Sequence, residues 1–277
     1  MNDRPDIDEY APYMETAVAA ARLAGDALVA RAREGFRIEQ KTSVVNLVTD
    51  ADHEAERIII DRILSEFPSH HILAEEGGRD TRGESSFQWV IDPLDGTTNY
   101  AHGFPCYSVS IGLEHNGFCV LGVVLDPTRD DLFTAAIGQG ARLNGQPISV
   151  SSIASLDEAL LVTGFAYDIR DNPNNNLDHF CRFSLRAQGV RRTGSAALDL
   201  CYVAMGRLDG YWEVKLSPWD SAAGGVILRE AGGRVTHFNG APHTIYGRDL
   251  VASNGHLHEA MLRVLAEGSG GPAIAPT

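Results

Sequence analysis

The twelve residues WVIDPLDGTTNY, at 89–100, constrain this chain more than any other stretch. Trp89, Val90, Ile91 and Leu94 read as a buried strand and its end. The strand runs straight into Asp92, Asp95, Gly96, Thr97 and Thr98. Two carboxylates at the end of a buried apolar run are unfavourable unless something positive sits between them. Pro93 has no N–H to donate, so regular strand pairing is expected to end there. Gly96-Thr97-Thr98 then opens a short helix, whose free N–H groups face an anion. One short segment thus offers carboxylates to a cation and amides to a phosphate. An all-oxygen donor set suits a hard ion such as Mg²⁺. Taken alone, D-P-x-D-G-T reads equally well as a surface turn with an aspartate cap. The D-x-D-x-T signature of a phosphatase with an aspartate nucleophile is a different spacing. In a regular strand, residues three apart do not share a face.

Three further stretches shift the balance. In NLVTDADHEAE (46–56), Asp52 stands at the start of a helix, where negative charge is tolerated, and Asp50 reads as the cap. In ILAEEGG (72–78), a strand delivers Glu75 and Glu76 into a glycine turn. In SPWDSAAGGVILREAGG (217–233), Asp220 begins a helix whose Ala222, Ala223, Gly224 and Gly225 permit close packing. Each acid alone has a bland explanation as a cap or a solvated carboxylate. Together, four strand ends or helix starts each offer a carboxylate. A phosphatase that polarises its substrate with two or three Mg²⁺ needs such a set.

The order of these motifs resembles the inositol monophosphatase family of lithium-sensitive, Mg²⁺-dependent phosphatases. Glu75-Glu76, W-V-I-D-P-L-D-G-T-T-N-Y and W-D-S-A-A-G (219–224) carry the resemblance. Lys41, L-V-T-x-x-D (47–52), G-S-A-A-L-D-L (194–200) and Glu213 add to it, over about residues 11–266. Ser195 stands where some members carry threonine, which keeps the hydroxyl. The resemblance implies a layered αβαβα sandwich of the inositol monophosphatase/fructose-1,6-bisphosphatase type and a homodimer. It implies two or three Mg²⁺ held by Glu75, Asp92, Asp95, Asp220 and the carbonyl of Leu94, with Asp92 bridging two ions. Asp52, Thr97 and Glu75 are the implied catalytic group, the Thr97 hydroxyl and Asp52 positioning a water. The amides of Gly96 and Thr97 are expected at the phosphate. Asp95, Gly194, Ser195, Ala196, Glu213 and Asp220 are expected at the alcohol. The implied reaction is direct in-line attack by metal-activated water, without a phosphoenzyme.

The expected substrate is inositol 1-phosphate or a similar small polyol monophosphate. Histidinol phosphate, a sugar phosphate or bisphosphate and a 3′-phosphorylated nucleotide remain open. The acidic Glu213 leans towards a polyol monoester; Arg191-Arg192 is the one basic pair beside a site motif. A non-catalytic binding protein that keeps the fold is the rival class. Such a protein is expected to have lost a ligand or the Asp52/Thr97 pair, and all are present.

The rest of the chain frames this reading as α/β, with α+β character in the first half. Helices are expected over 8–33 and 50–67, and strands over 37–40, 47–49, 71–74, 88–91, 107–114, 118–125, 132–136 and 141–143. Asn144-Gly145 signals a hairpin turn. The second half alternates strands (159–164, 190–192, 209–214, 250–253) with helices (174–188, 195–205, 218–231, 256–266). An N-terminal lobe (1–153) then carries most metal ligands, a C-terminal lobe (154–266) completes the site, and 267–277 is a flexible Gly/Pro/Ala-rich tail. The net charge of −14 argues against nucleic acid as a partner. No apolar run approaches the roughly 18 residues of a membrane span. The acidic start MNDRPDIDEY is no secretory signal, so the cytoplasm is the expected location. The four cysteines form no C-x-x-C pair and read as reduced core thiols. His256 and His258 read as solvated residues of the last helix.

Overall fold

The computed structural model describes residues 9–43, 46–81 and 84–267. Helix α1 (Ala11–Glu34) buries a small-residue face of Ala17, Ala20, Ala21, Ala24 and Leu28, while Ala32, one turn further on, is exposed. A two-stranded ribbon, β1 (Ile38–Ser43) and β2 (Asn46–Thr49), leads into α2 (Asp50–Glu66). Next come β3 (His71–Ala74), β4 (Gly78–Asp80) and β5 (Phe87–Asp95), then the short α3 (Thr97–Ala101). The meander β6 (Ser108–His115), β7 (Phe118–Asp126), β8 (Asp131–Ala136), β9 (Ala141–Leu143) and β10 (Gln146–Pro147) follows. These strands form one eight-stranded sheet in the order β10-β9-β8-β7-β6-β5-β3-β4. It is antiparallel except where β3 runs parallel to β5. Asn144 and Gly145 both have positive φ at the β9–β10 turn, as that hairpin requires.

The second half contributes β11 (Leu160–Thr163), α4 (Leu177–Ser184), β12 (Gly189–Arg191), α5 (Ala196–Ala204) and β13 (Gly210–Val214). It continues with α6 (Pro218–Glu230), β14 (Arg234–Thr236), β15 (Asp249–Ser253) and α7 (His258–Ala266). Its five-stranded sheet runs β12-β11-β13-β15-β14. Helices α1 and α2 cover one face of the large sheet. Helices α5 and α6 lie between the two sheets, and α4 and α7 close the far side. The result is the expected αβαβα sandwich. Each layer buries an apolar stripe against the next, with Trp89 in one core and Trp212 in another, both fully buried.

Two paired glycines fix the central layer. Gly112 on β6 faces Gly122 on β7. A Cβ on Gly122 would stand 2.3 Å from the Ala223 carbonyl oxygen, and one on Gly112 would stand 2.8 Å from Ala222 Cβ. The pair therefore makes a trough in which the small residues of α6 sit directly on the sheet. That seat brings Asp220, two residues before Ala222, to the sheet's end.

Several expectations change. Pairing of β5 does not end at Pro93. It resumes after an extra residue, because Asp92 faces Ser110 and Asp95 faces Ser108. Helix α4 is shorter than residues 174–188, because Asn176 adopts a left-handed backbone (φ 69) just before it. His258 is fully buried, not solvated. Its Nε2 meets Thr236 Oγ1 at 2.8 Å and its Nδ1 meets Ser253 Oγ at 2.9 Å. Burial lowers its pKa to about 4, so the ring is neutral. Of the cysteines, all free, Cys106 and Cys201 are buried, Cys119 is half-buried and Cys181 is exposed. Strands β4, β10 and β14 carried no signal strong enough to be read from the sequence. Residues 268–277, the bulk of the expected tail, lie outside the described residues. No helix among the described residues is long and apolar enough to cross a membrane.

Candidate active site

The irregularity in β5 is what brings its two aspartates together. Asp92 and Asp95 are three residues apart, yet they face residues two apart on β6. An extra residue in one strand restores the alternation that D-x-x-D otherwise breaks. Both side chains therefore emerge on one face, 2% and 8% exposed. Strand β3 runs alongside, with the Glu75 N–H donating to the Ile91 carbonyl at 3.2 Å, so Glu75 arrives beside Asp92.

Two helix starts supply the other acids in the same way. Thr49 is the N-cap of α2 and Asp52 is the third helical residue. The Thr49 N–H and hydroxyl both donate to Asp52 Oδ2, at 2.8 and 2.6 Å. Asp50, which the sequence suggested as the cap, instead accepts from the Arg31 guanidinium and the Arg37 N–H. Asp220 repeats the pattern on α6, where the Ser217 N–H donates to its Oδ2 at 2.7 Å. In both helices the capping geometry holds one carboxylate oxygen and fixes the direction of the other.

Glu75, Asp92, Asp95 and Asp220 border one cavity of ≈190 Å³, together with Leu94, Gly96, Thr97, Gly194, Ser195, Ala196 and Glu213. Asp52 stands just behind its wall, 1% exposed. The Thr97 hydroxyl bridges to it, 3.2 Å from Asp52 Oδ1 and 3.1 Å from the Leu94 carbonyl. Gly96 has φ 99, where glycine is at ease, and so turns β5 into α3. Asp95 is tied to the start of α5. Its Oδ2 accepts from Ser195 Oγ at 2.6 Å and the Ala197 N–H at 2.8 Å, and its Oδ1 accepts from the Ala196 N–H at 3.2 Å. The Ala196 N–H, expected to face the alcohol, thus meets Asp95. Ser195 also accepts from the Leu198 N–H, so it caps α5 while binding Asp95.

The cavity is crowded with negative charge. Burial first, then Glu75, Asp95 and Asp220, push Asp92 well above the ordinary carboxylate range. Asp220 is raised likewise, by burial and then by Asp95, Glu75 and Glu213. Burial lifts Asp95 to about 6 against the hydrogen bonds of Ser195 and α5. It lifts Asp52 to about 6 against those of Thr49. Glu213 rises to about 7 by burial, opposed by the Tyr211 hydroxyl and by Arg192. Such a cluster is relieved by a cation. Among the described residues, no three acids, histidines or cysteines close on a single point as a finished cage. The acids border an open cavity instead, and their hard oxygen donors are those a Mg²⁺-type ion prefers.

Some neighbours escaped the sequence reading. Of the basic pair Arg191-Arg192, both exposed, it is Arg192 that borders the cavity. Lys215 reaches the cavity from a left-handed backbone (φ 64), and its ammonium pairs with Asp168 at 2.7 Å. Gly164, Tyr167 and Asp199 also border it. Only Asp199, inside G-S-A-A-L-D-L, sat in a recognised motif. Lys41 lies on β1, and its side chain is outside the described residues.

Known proteins resemble this chain along nearly its whole length. The family model described as "Inositol monophosphatase family" matches residues 9–269. Inositol-1-monophosphatase of Synechocystis is 47% identical over 254 residues, covering 92% of this chain and 88% of that protein. Nus factor SuhB of Escherichia coli is 41% identical over 252 residues, covering 91% of this chain and 94% of that one. The solved inositol monophosphatase of Anabaena superimposes with a TM-score of 0.83 at 45% identity, covering 92% of this chain and 95% of its own.

Proposed function

The chain belongs to the inositol monophosphatase family, and from that premise we propose that it hydrolyses a small polyol monophosphate, such as inositol 1-phosphate, to alcohol and phosphate. One observation supports this most. Glu75, Asp92, Asp95 and Asp220 border the same cavity as Thr97, whose hydroxyl meets the buried Asp52. The groups that would hold two or three Mg²⁺ are Glu75, Asp92, Asp95, Asp220 and the Leu94 carbonyl. Bound Mg²⁺ supplies Lewis-acid charge that polarises the phosphate and makes water a better nucleophile near neutral pH.

The chain's own part is to hold and to move a proton. When the Thr97 hydroxyl donates to Asp52 Oδ1, its lone pairs are free to accept from the attacking water. Asp52, lifted to about 6, is matched to taking up that proton near neutral pH. Glu75 completes the catalytic group beside it. The backbone of Gly96 and Thr97, at the start of α3, meets the phosphate. Glu213 and Gly194 face the alcohol, Ser195 and Ala196 support Asp95 beside it, and carboxylates there accept hydrogen bonds from its hydroxyls. The same reading extends to a cytoplasmic homodimer inhibited by Li⁺.

Phosphate release tests it. The purified protein is given inositol 1-phosphate, glycerol 2-phosphate, histidinol phosphate, fructose 1,6-bisphosphate and a 3′-phosphorylated nucleotide, each with Mg²⁺, with EDTA and with added Li⁺. Fastest Mg²⁺-dependent, Li⁺-sensitive turnover of inositol 1-phosphate is expected. A different fastest ester replaces the substrate and keeps the chemistry; no metal-dependent turnover of any ester removes the phosphatase reading. The Escherichia coli relative is named a Nus factor. Asp95→Asn, which would stop turnover, tests whether a role of that kind here depends on the phosphatase chemistry.

A further inference from the structure

Asn176 lies in no motif, yet it is the polar centre behind the alcohol side of the cavity. It is 4% exposed and sits just before α4 with φ 69, a backbone that asparagine tolerates better than most residues. Its Nδ2 donates to Thr163 Oγ1 and to the Gly164 carbonyl, both at 2.8 Å. Its Oδ1 accepts from Trp212 Nε1, also at 2.8 Å. The Thr163 hydroxyl donates in turn to the Trp212 carbonyl at 2.5 Å. One buried amide thereby fastens the end of β11 to β13, where Thr163 already faces Trp212 in the parallel pair.

The residue after Trp212 is Glu213, and the residue after Thr163 is Gly164. The two are pressed together: a Cβ on Gly164 would stand 2.1 Å from Glu213 Oε2 and 2.4 Å from its Cδ. The same oxygen, Glu213 Oε2, accepts from the Tyr211 hydroxyl at 2.6 Å. The carboxylate is therefore held between a phenol and a bare backbone, and Asn176 holds that backbone. No other side chain fits at 164 without moving the carboxylate.

We propose that Asn176 is a positioning residue for the alcohol side, setting through Gly164 where Glu213 stands and so selecting esters whose alcohol carries hydroxyl groups. The inference rests on the phosphatase reading above and narrows its substrate class. A buried amide that served folding alone would change stability without changing the choice between substrates.

The test compares kcat and KM of the wild type, Asn176→Asp and Gly164→Ala on inositol 1-phosphate and on p-nitrophenyl phosphate, whose leaving group carries no further hydroxyl. Asn176→Asp tolerates the left-handed backbone and can still accept from Trp212, but it loses both donors. Gly164→Ala leaves the Asn176 bonds in place and displaces the carboxylate by contact, so it decides the matter should the first variant fail to fold. Melting temperature is read with and without Mg²⁺. The expected result is a KM for inositol 1-phosphate raised tenfold or more. The KM for p-nitrophenyl phosphate stays within twofold, and the Mg²⁺-induced melting shift equals that of the wild type. Parallel KM changes on both esters, a lost Mg²⁺ shift, or no change in a folded variant overturns the proposal. Wild-type turnover of p-nitrophenyl phosphate with Mg²⁺ keeps the phosphatase reading standing whichever way that comparison falls. Its absence removes both.

Discussion

The two sides of the cavity are built by different means. The acid-rich side comes from the ends of β3 and β5 and from the first turns of α2 and α6. Three of its acids are aimed by neighbours within three residues: Thr49 holds Asp52, Ser217 holds Asp220, and the Leu94 N–H donates to Asp92 Oδ1. The alcohol side combines a local bond, from the Tyr211 hydroxyl to Glu213, with a contact made from afar. Glu213 rests on Gly164, 49 residues earlier in the chain, and Gly164 is held by Asn176. The comparison teaches that charge to be placed within a hydrogen bond's tolerance is set locally. Shape that must suit one alcohol is set by tertiary packing, where it can vary without disturbing the chemistry. Asp95 joins the two sides, because its carboxylate lies on β5 and its donors lie on α5.

That role makes Asp95→Asn the substitution with the largest expected effect. Turnover with Mg²⁺ should fall by about a thousandfold, the scale of losing one preorganised charge at a reacting group. The fold should hold, because the neutral amide relieves the crowding that raises Asp95 even though one of its ends no longer accepts from α5. Unfolding in urea beside a phosphate-release assay reads both, and near-normal turnover would remove Asp95 from the site. Thr97→Val comes next. It keeps the shape of the wall and breaks the link to Asp52, so kcat should fall about a hundredfold, at the lower end of general-base contributions. Mg²⁺ affinity should not move; a matching loss of affinity would place Thr97 among the ion's supports instead. The smallest effect is expected on the other side. Glu213→Gln should raise the KM for inositol 1-phosphate by about tenfold, the loss of a charge-assisted hydrogen bond to a hydroxyl, with kcat on p-nitrophenyl phosphate held. Equal losses on both esters would erase the distinction between the two sides.

The buried acids of the two sides also predict how stability depends on pH. Asp95 and Glu213 titrate in the folded protein at about 6 and about 7, above their ordinary values. Their protonated forms therefore favour folding. That contribution is complete below pH about 4, the unfolded carboxylate range, and is lost as pH rises through the folded values. The metal-free protein should melt at progressively lower temperature from pH 5 to pH 8, and saturating Mg²⁺ should flatten the decline. A metal-free melting temperature that rises over this range contradicts the crowding of acids.

How much was legible follows the same division. Asp92, Asp95, Gly96 and Thr97 share one short segment, and Asp52 and Asp220 are helix-start acids, so local pattern reveals them. The irregularity at Pro93 that puts Asp92 and Asp95 on one face was not legible, since a missing N–H marks a break in pairing and not its resumption. The choice of Thr49 over Asp50 as cap depended on Arg31, which draws Asp50 away from across the α1–α2 contact. Arg192, Lys215 and Asn176 gain their meaning only from strands that meet in space. His258 looked solvated because its partners, Thr236 and Ser253, are brought to it by the pairing of β14 with β15. The layered αβαβα architecture was legible through the family resemblance that the motifs carry; the residues by themselves showed only the alternation of helices and strands in the second half and one hairpin turn at Asn144-Gly145.

We propose that Glu75, Asp92, Asp95 and Asp220 act as one divalent-cation site, in which Asp92, Asp95 and Asp220 partly hold protons until the ion arrives. Calorimetric titration of Mg²⁺ into the metal-free protein near pH 6.5, in two buffers of different ionisation enthalpy, tests it directly. The predicted result is saturable binding with release of protons to the buffer, both lost in Asp95→Asn. Absence of binding, or binding with the same heat in both buffers, would contradict the claim.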